Sequence, residues 1–326
     1  MSSCNCSRQV VNLNEGVERK HPFLNLAFRR DPTKTTQIRN GFARACSSRF
    51  KKLRTAIKVS IVDNDCFGLT EETPFRSRIL TLSDPVLAEP DQFAFPRTST
   101  KIEKFMDWLN EQEERGVLEI TRRPGALRGF EEAWTDIWVH AAYQKGILRG
   151  RQELRKNDSS IPALEPDDNL AISAVMNQPM HADRIGVLYT RTFSELKGID
   201  QIMDQQISRI LSQGLMEGKS PLVIARTLSD VFEENGTEAA SGMRAINRAK
   251  TMARTEVIRA HHVANINEFR QWGVQGVKVK VEWGTAGFNV CPICAGLAGQ
   301  TFTLEEIEGM IPRHPNCRCV AIPVQV

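Results

Sequence analysis

Cys291-Pro292-Ile293-Cys294, nineteen residues, then His314-Pro315-Asn316-Cys317-Arg318-Cys319: this stretch places four of the chain's eight cysteines and one of its six histidines within 29 positions. Two thiols in a C-x-x-C turn can converge on one metal ion without rearranging the backbone, and a later His/Cys pair can close a tetrahedron around it. The candidate ligands are Cys291, Cys294, His314 and Cys317, with Cys319 competing as a fourth or fifth. Thiolates with a neutral imidazole suit zinc, and a fully protein-ligated ion would be a structural clamp. Zinc catalysis fits less well, because it needs an open coordination position and a nearby general base; Glu282 and Glu305 are available, but spacing alone places neither. Two other readings stand beside zinc. C-P-x-C resembles the motif of thiol oxidoreductases, although Ala295-Gly296-Leu297-Ala298-Gly299 is a poor start for the long helix that motif requires. Disulfides formed in an oxidising medium, or unlinked buried thiols, are the other.

Around this stretch the periodicity changes. Val277 to Trp283 alternates apolar and polar residues, which predicts a half-exposed strand. Gln300-Thr301-Phe302-Thr303 leads into a short helix over 304–310, and Val320 onward reads as a closing strand. Upstream the pattern is helical: over 35–58, from about 99 to 116, over 128–151, from 170 to about 214, over 221–234 and from about 239 to 271. Gly214 is expected to cap the long fourth helix, and Ser220-Pro221 to start the next as N-cap and first residue. The fold class expected is therefore mostly α: a helical N-terminal body followed by a small α+β C-terminal domain holding the Cys/His cluster. The expected division is an irregular tail over 1–34, a helical domain over 35–156, a linker rich in Ser, Pro and Asp over 157–169, and a C-terminal domain over 170–326.

Charge is distributed unevenly. The chain carries a net +4, but the ten basic residues Arg29, Arg30, Lys34, Arg39, Arg44, Arg49, Lys51, Lys52, Arg54 and Lys58, with Asp31 as the one acid among them, give that segment +9 and leave −5 elsewhere. These ten are candidate contacts for DNA or an acidic protein surface, against the plainer reading of a solvated helix face. No run of about 18 apolar residues predicts a membrane span, and Met1 to Arg8 lacks the apolar core of a secretory signal, so synthesis in the cytosol with reduced thiols is expected.

Other features favour structural readings. Asp63-Asn64-Asp65 suggests a calcium loop, but Pro74 stands where the twelfth-position glutamate belongs. Trp134, Trp138 and Tyr143 could form a base-stacking platform; at helical spacing among apolar residues they read as core. His261 and His262 point about 100° apart on their helix, so one is expected at the surface and the other packed. Arg254 and Glu256 read as a structural ion pair within a helix bundle. Cys4 and Cys6 read as part of an exposed tail. The chain has no P-loop, dinucleotide fingerprint, nucleophile elbow or H-E-x-x-H motif, which argues for a structural or binding protein with no catalytic residues.

Taken in order, Ala253-Arg254-Thr255-Glu256, Trp283-Gly284-Thr285, Cys291-Pro-Ile-Cys294, Leu297-Ala-Gly299 and Pro312-Arg-His-Pro-Asn-Cys-Arg-Cys319 resemble the phage Mu protein F-like head morphogenesis (minor capsid protein) family over about 215–324. Asp31-Pro-Thr-Lys-Thr-Thr and Asp65-Cys-Phe-Gly-Leu69 look like the N-terminal portion of some tailed-phage members. The resemblance implies a minor head protein bound to the portal, acting in head morphogenesis and in DNA packaging or ejection. It implies as partners the portal protein, genomic DNA and other inner-capsid or scaffold proteins. The implied place is the virion, at the capsid interior or portal vertex, reached from the host cytoplasm during assembly. Some family domains are fused to toxin enzymes, and none is expected here because the chain ends at Val326. The resemblance does not itself establish zinc. A zinc-containing DNA-binding protein acting independently of any capsid is the alternative.

Overall fold

The computed structural model describes residues 31–69, 101–122, 131–232, 244–274, 279–286 and 290–324. Expectations for Cys4, Cys6, Arg29, Arg30 and the proline-rich stretch 70–98 lie outside them. The described elements, in order, are α1 (Thr36–Lys58), a π-helical turn (Val59–Asp63), α2 (Lys101–Gly116), β1 (Ile120–Arg122), β2 (Glu131–Ala133), α3 (Asp136–Asn157), α4 (Asn169–Met176), α5 (Pro179–Met216), α6 (Pro221–Phe232), α7 (Ala245–Val274), β3 (Lys280–Gly284), α8 (Pro292–Leu297), β4 (Thr301–Phe302), α9 (Leu304–Ile307) and β5 (Val320–Val324). The protein is mostly α, with its longest strands near the C-terminus.

The described residues fall into two compact units that are not consecutive in sequence: one takes those within 31–42, 135–192 and 251–324, the other those within 43–122, 131–134, 193–232 and 244–250. The expected linker at 157–169 therefore does not separate domains, since both of its flanks belong to the first unit. Ile161 in that stretch is buried and joins the core around the C-terminal sheet, so the polar composition of the segment hides an anchoring contact.

In the first unit α3 and α7 pack backbone to backbone. A Cβ at Gly146 would lie 2.4 Å from the His261 carbonyl oxygen and 2.6 Å from the Ala264 Cβ, so only glycine permits this approach. Tyr143 lies beside that contact, fully buried, accepting from Asn267 Nδ2 at 3.0 Å and bonded to His181 Nδ1 at 3.0 Å. Next to it Arg151 pairs with the buried carboxylate of Glu268, whose Oε1 also accepts from the Trp272 indole at 2.9 Å. His261 and His262 are both buried, against the expectation that one would face solvent. The reason is that α7 is covered on most sides from Met252 to Phe269, and a helix enclosed in this way has no polar face to offer.

At the N-terminal edge of this unit, Asp31 organises the entry to α1. Its Oδ1 accepts from the Thr33 backbone N–H and hydroxyl, and its Oδ2 accepts from Thr36 Oγ1 and from Arg39 Nη2 at 2.9 Å. Burial alone would raise the Asp31 carboxyl, but the Thr36 hydrogen bond, the Arg39 charge and the Thr33 hydroxyl outweigh it and hold the group at about 2.

The second unit is built on apolar stripes of α1, α2, α5 and α6. Phe67 packs on Phe105 with ring centroids 5.4 Å apart, and Trp108 also packs on Phe105, at 5.2 Å. Trp134 is held by its indole N–H to the Val117 carbonyl at 2.8 Å and by the Arg49 guanidinium over its ring. The tryptophan is thus core, as its spacing indicates. The short hairpin β1–β2 pairs Ile120 with Ala133 and Thr121 with Glu132; nothing in the periodicity of these three-residue strands announced it. Gly214 does not cap α5. It lies inside the helix against α6, where a Cβ would meet Ile224 at 2.9 Å, and the chain turns instead at Gly218, whose φ is +62.

Candidate metal centre

The C-terminal sheet has the order β4-β3-β5, antiparallel throughout, with Trp283 opposite Ala321 and Val281 opposite Phe302. Its inner face, with Val281, Trp283 and Ala321, packs against Ile258, Ile266 and Phe269 of α7. Both ligand-bearing loops leave this sheet. The first is the short helix α8, for which Cys291 is the N-cap and Pro292 the first residue, with Cys291 Sγ accepting from the Cys294 N–H at 3.5 Å. Gly299, at φ +78, then turns the chain back so that its N–H bonds the Trp283 carbonyl at 3.0 Å.

The second loop is a tight turn from His314 to Cys317, closed by the Cys317 N–H on the His314 carbonyl at 3.1 Å. Pro315 occupies its second position and Asn316, at φ 59, its third, the residue types a type II turn demands. The turn is docked on α7, where the Asn316 N–H donates to Thr255 Oγ1 at 3.0 Å.

These loops bring all five sequence-derived ligands together. His314 Nε2 lies 3.2 Å from Cys291 Sγ and 3.1 Å from Cys294 Sγ. The donor atoms of Cys291, Cys294 and His314 lie within 4.8 Å of one another, as do those of Cys294, Cys317 and Cys319, so Cys294 is common to both groups. All four cysteines are buried and free of disulfides. Tetrahedral zinc, with sulfur at about 2.3 Å and nitrogen at about 2.0 Å, separates its sulfur and nitrogen ligands by roughly 3.6 Å. The cluster is therefore a little tighter than a zinc-filled one, and small outward shifts would accommodate the ion.

The imidazole is already oriented for such a role. Its Nδ1 lies 2.8 Å from the Pro315 carbonyl oxygen, which can only accept, so Nδ1 carries a proton and Nε2 is the atom turned to the sulfurs. Hydrogen bonding with Cys317, against burial, raises His314 to about 9. Hydrogen bonds from Cys294 and then Cys319 drive the Cys317 thiol down, while bonds to Cys317 and Cys319, with burial, drive Cys294 up. Metal binding requires thiolates and a neutral imidazole, so a cation at the cluster would displace its protons. Cys291, Cys294 and His314 form one group and Cys294, Cys317 and Cys319 the other, a thiol and imidazole donor set whose chemistry suits zinc.

Residues 205–322 match the family model described as Phage Mu protein F like protein. Over that stretch the chain is similar to the phage Mu protein F-like family. No curated protein and no solved structure matches the chain. The Mu F-like segment begins within α5, runs through the whole Cys/His cluster and ends in β5. It supports a phage head-related protein. No described helix is long and apolar enough to cross a membrane.

The remaining site residues fare differently. Glu256 pairs with Arg259 at 3.1 Å and with Arg191 at 3.4 Å rather than with Arg254. Residues two apart on a helix face away from each other, whereas residues three apart are neighbours, so the expected Arg254–Glu256 pair had the wrong spacing. Among the basic candidates, Arg39 is buried on Asp31, and Arg49 bonds Glu119, the Gly116 carbonyl and the face of Trp134. Lys34, Arg44, Lys51, Lys52 and Lys58 are exposed and Arg54 is half-buried.

A second basic surface was not foreseen. In the first unit a cleft of about 430 Å³ is lined by Lys34, Lys145, Arg149, Arg151 and Arg155, together with Glu165. The four α3 residues fall at steps of two to four along one side of the helix, a pattern that could have been read from the sequence. Arg149 pairs with Glu153 and Arg151 with Glu268, which leaves Lys34, Lys145 and Arg155 as the exposed cations of the cleft.

Proposed function

We propose that this protein is a minor head component of a tailed phage that docks on the portal and acts in head morphogenesis and in DNA packaging or ejection, with no catalytic role. The observation that carries this reading is the Mu F-like match over 205–322, a segment in which two ligand-bearing loops are tied to one sheet and one helix. We further propose that zinc, held by Cys291, Cys294, His314 and Cys317, is the structural ion of that segment. Five donors for four positions and four buried thiols suit a closed site rather than one open to substrate.

The test is co-purification with a portal ring after nuclease treatment. The reading expects the protein to stay with the ring in the absence of nucleic acid; loss from the ring on nuclease treatment contradicts it. That loss would favour the second reading, a zinc-containing DNA-binding protein independent of the capsid, for which the α3 cleft and the exposed lysines of α1 are the supporting observation. In that case DNA affinity must fall steeply with salt, because phosphate contacts release counterions.

A further inference from the structure

The second unit holds a different constellation, outside the Cys/His cluster and upstream of the Mu F-like segment. Asp200 and Asp204, four residues apart, share one face of α5, and Glu113 of α2 comes up to them; one carboxylate oxygen from each of the three lies within 4.8 Å of the other two. The three acids stand where their helices bury hydrophobic residues. Glu113 continues the stripe of Phe105 and Leu109, and Asp200 and Asp204 fall in the stripe of Leu196, Met203 and Ile207. Glu113 and Asp200 are each only 2 % exposed.

Two observations separate this from an ordinary acidic patch. One oxygen on each residue, Glu113 Oε1, Asp200 Oδ1 and Asp204 Oδ1, is buried with no hydrogen-bond partner. The largest influences on the three are burial and one another, through charge and through hydrogen bonds between Glu113 and the two aspartates. Buried carboxylates normally carry a hydrogen bond or a counter-charge, and an uncompensated one is strongly destabilising. An unpartnered buried oxygen on each of three neighbouring acids is an arrangement that a cation would satisfy.

We propose that Glu113, Asp200 and Asp204 bind one hard divalent cation, of the Mg²⁺, Ca²⁺ or Mn²⁺ class, which ties α2 to α5. All-oxygen carboxylate ligation selects such ions over the softer metals favoured by thiolates, so this site and the Cys/His cluster differ in the metal they take. Oxygen ligands at 2.0–2.6 Å from an ion lie at most about 5 Å apart, which the observed spacing satisfies. The ion would leave the site with one net negative charge, and waters would complete its coordination.

The experiment uses the full chain as purified, with the Cys/His cluster undisturbed. Mn²⁺ binding at pH 8 is read from the loss of the free-ion electron paramagnetic resonance signal, and melting temperature is followed with Mg²⁺, Ca²⁺ or no added ion. The site predicts one Mn²⁺ per chain and a melting temperature raised by at least one of the three ions. It predicts at least a tenfold loss of Mn²⁺ affinity in Glu113→Gln and in Asp200→Asn, whose ion-free forms melt no lower than the wild type because a buried charge has been removed. Asp107→Asn, at an exposed position of α2, should bind Mn²⁺ as the wild type does. Failure of the wild type to bind Mn²⁺, or binding undiminished in both buried variants, would overturn the proposal and mean that the carboxyls share protons only. Should Asp200→Asn fail to fold, Glu113→Gln and Asp204→Asn carry the same reading.

Discussion

The backbone N–H of Asn316 donates to the hydroxyl of Thr255 across 3.0 Å, joining the turn that presents His314 and Cys317 to the middle of α7. The same hydroxyl donates to the Thr251 carbonyl at 2.7 Å, so it is held by its own helix while it receives the loop. Two motifs sixty residues apart, Arg254-Thr255-Glu256 and His314-Pro-Asn-Cys317, are thereby one structural device: the first is the anchor and the second carries ligands.

Thr255→Val keeps the shape and removes the acceptor. It should cost about 1 kcal/mol, the net worth of one hydrogen bond, seen as a small fall in melting temperature. A chelator should also extract metal from the variant faster than from the wild type. An unchanged extraction rate would mean that the turn is held without Thr255.

Asn316 sits at φ 59, where β-branched side chains are strained. Asn316→Gly should be close to neutral, whereas Asn316→Val should cost about 1–2 kcal/mol, measured by chemical denaturation. Equal stabilities of the two variants would contradict the turn type assigned here.

Glycine substitutions separate close packing from mere helix propensity. Gly146→Ala drives a Cβ into the His261 carbonyl and should cost more than about 2 kcal/mol, because backbone rather than a flexible side-chain tip must yield. Gly186→Ala, in an open stretch of α5 with no atom within 4 Å, should stabilise by about 0.5–1 kcal/mol. A melting-temperature comparison of the two variants reads both signs at once.

Burial, reinforced by the Arg149 and His262 charges, pushes the His261 imidazole down to about 3. Its pKa is lower in the folded than in the unfolded chain, so below about 6.5 the unfolded chain takes a proton that the folded one refuses. The stability tied to this histidine is therefore present at neutral pH and lost as pH falls from about 6.5 toward 3, on the order of 2 kcal/mol by pH 5. His261→Leu should flatten that part of the stability profile in urea denaturation at pH 7.5 and pH 5. An unchanged slope would show that His261 is not the group responsible.

The parts legible in the sequence were those with a strong period or a fixed spacing. The long α5 and α7 came from apolar steps of three and four, and the ligand loops from C-x-x-C and H-P-N-C. What escaped had either no period or a misleading one. The β1–β2 hairpin is too short to alternate, and Gly214 looked like a stop although it serves the contact with Ile224. On α5 the buried stripe runs through Asp200, Met203 and Ile207, while Ile202 is 38 % exposed. Acids within a helical period ordinarily signal a solvent face, so three carboxylates turned inward leave no sign in the sequence. Only the structure brings α2 alongside α5 and shows that these acids face one another.

The most direct test of the account is elemental analysis of the full chain, purified under reducing conditions without added metal or chelator. The account predicts one zinc per chain in the wild type, its loss in Cys291→Ser and Cys317→Ser, and retention in Asp200→Asn. A wild-type protein that is folded and reduced but holds no zinc would contradict it.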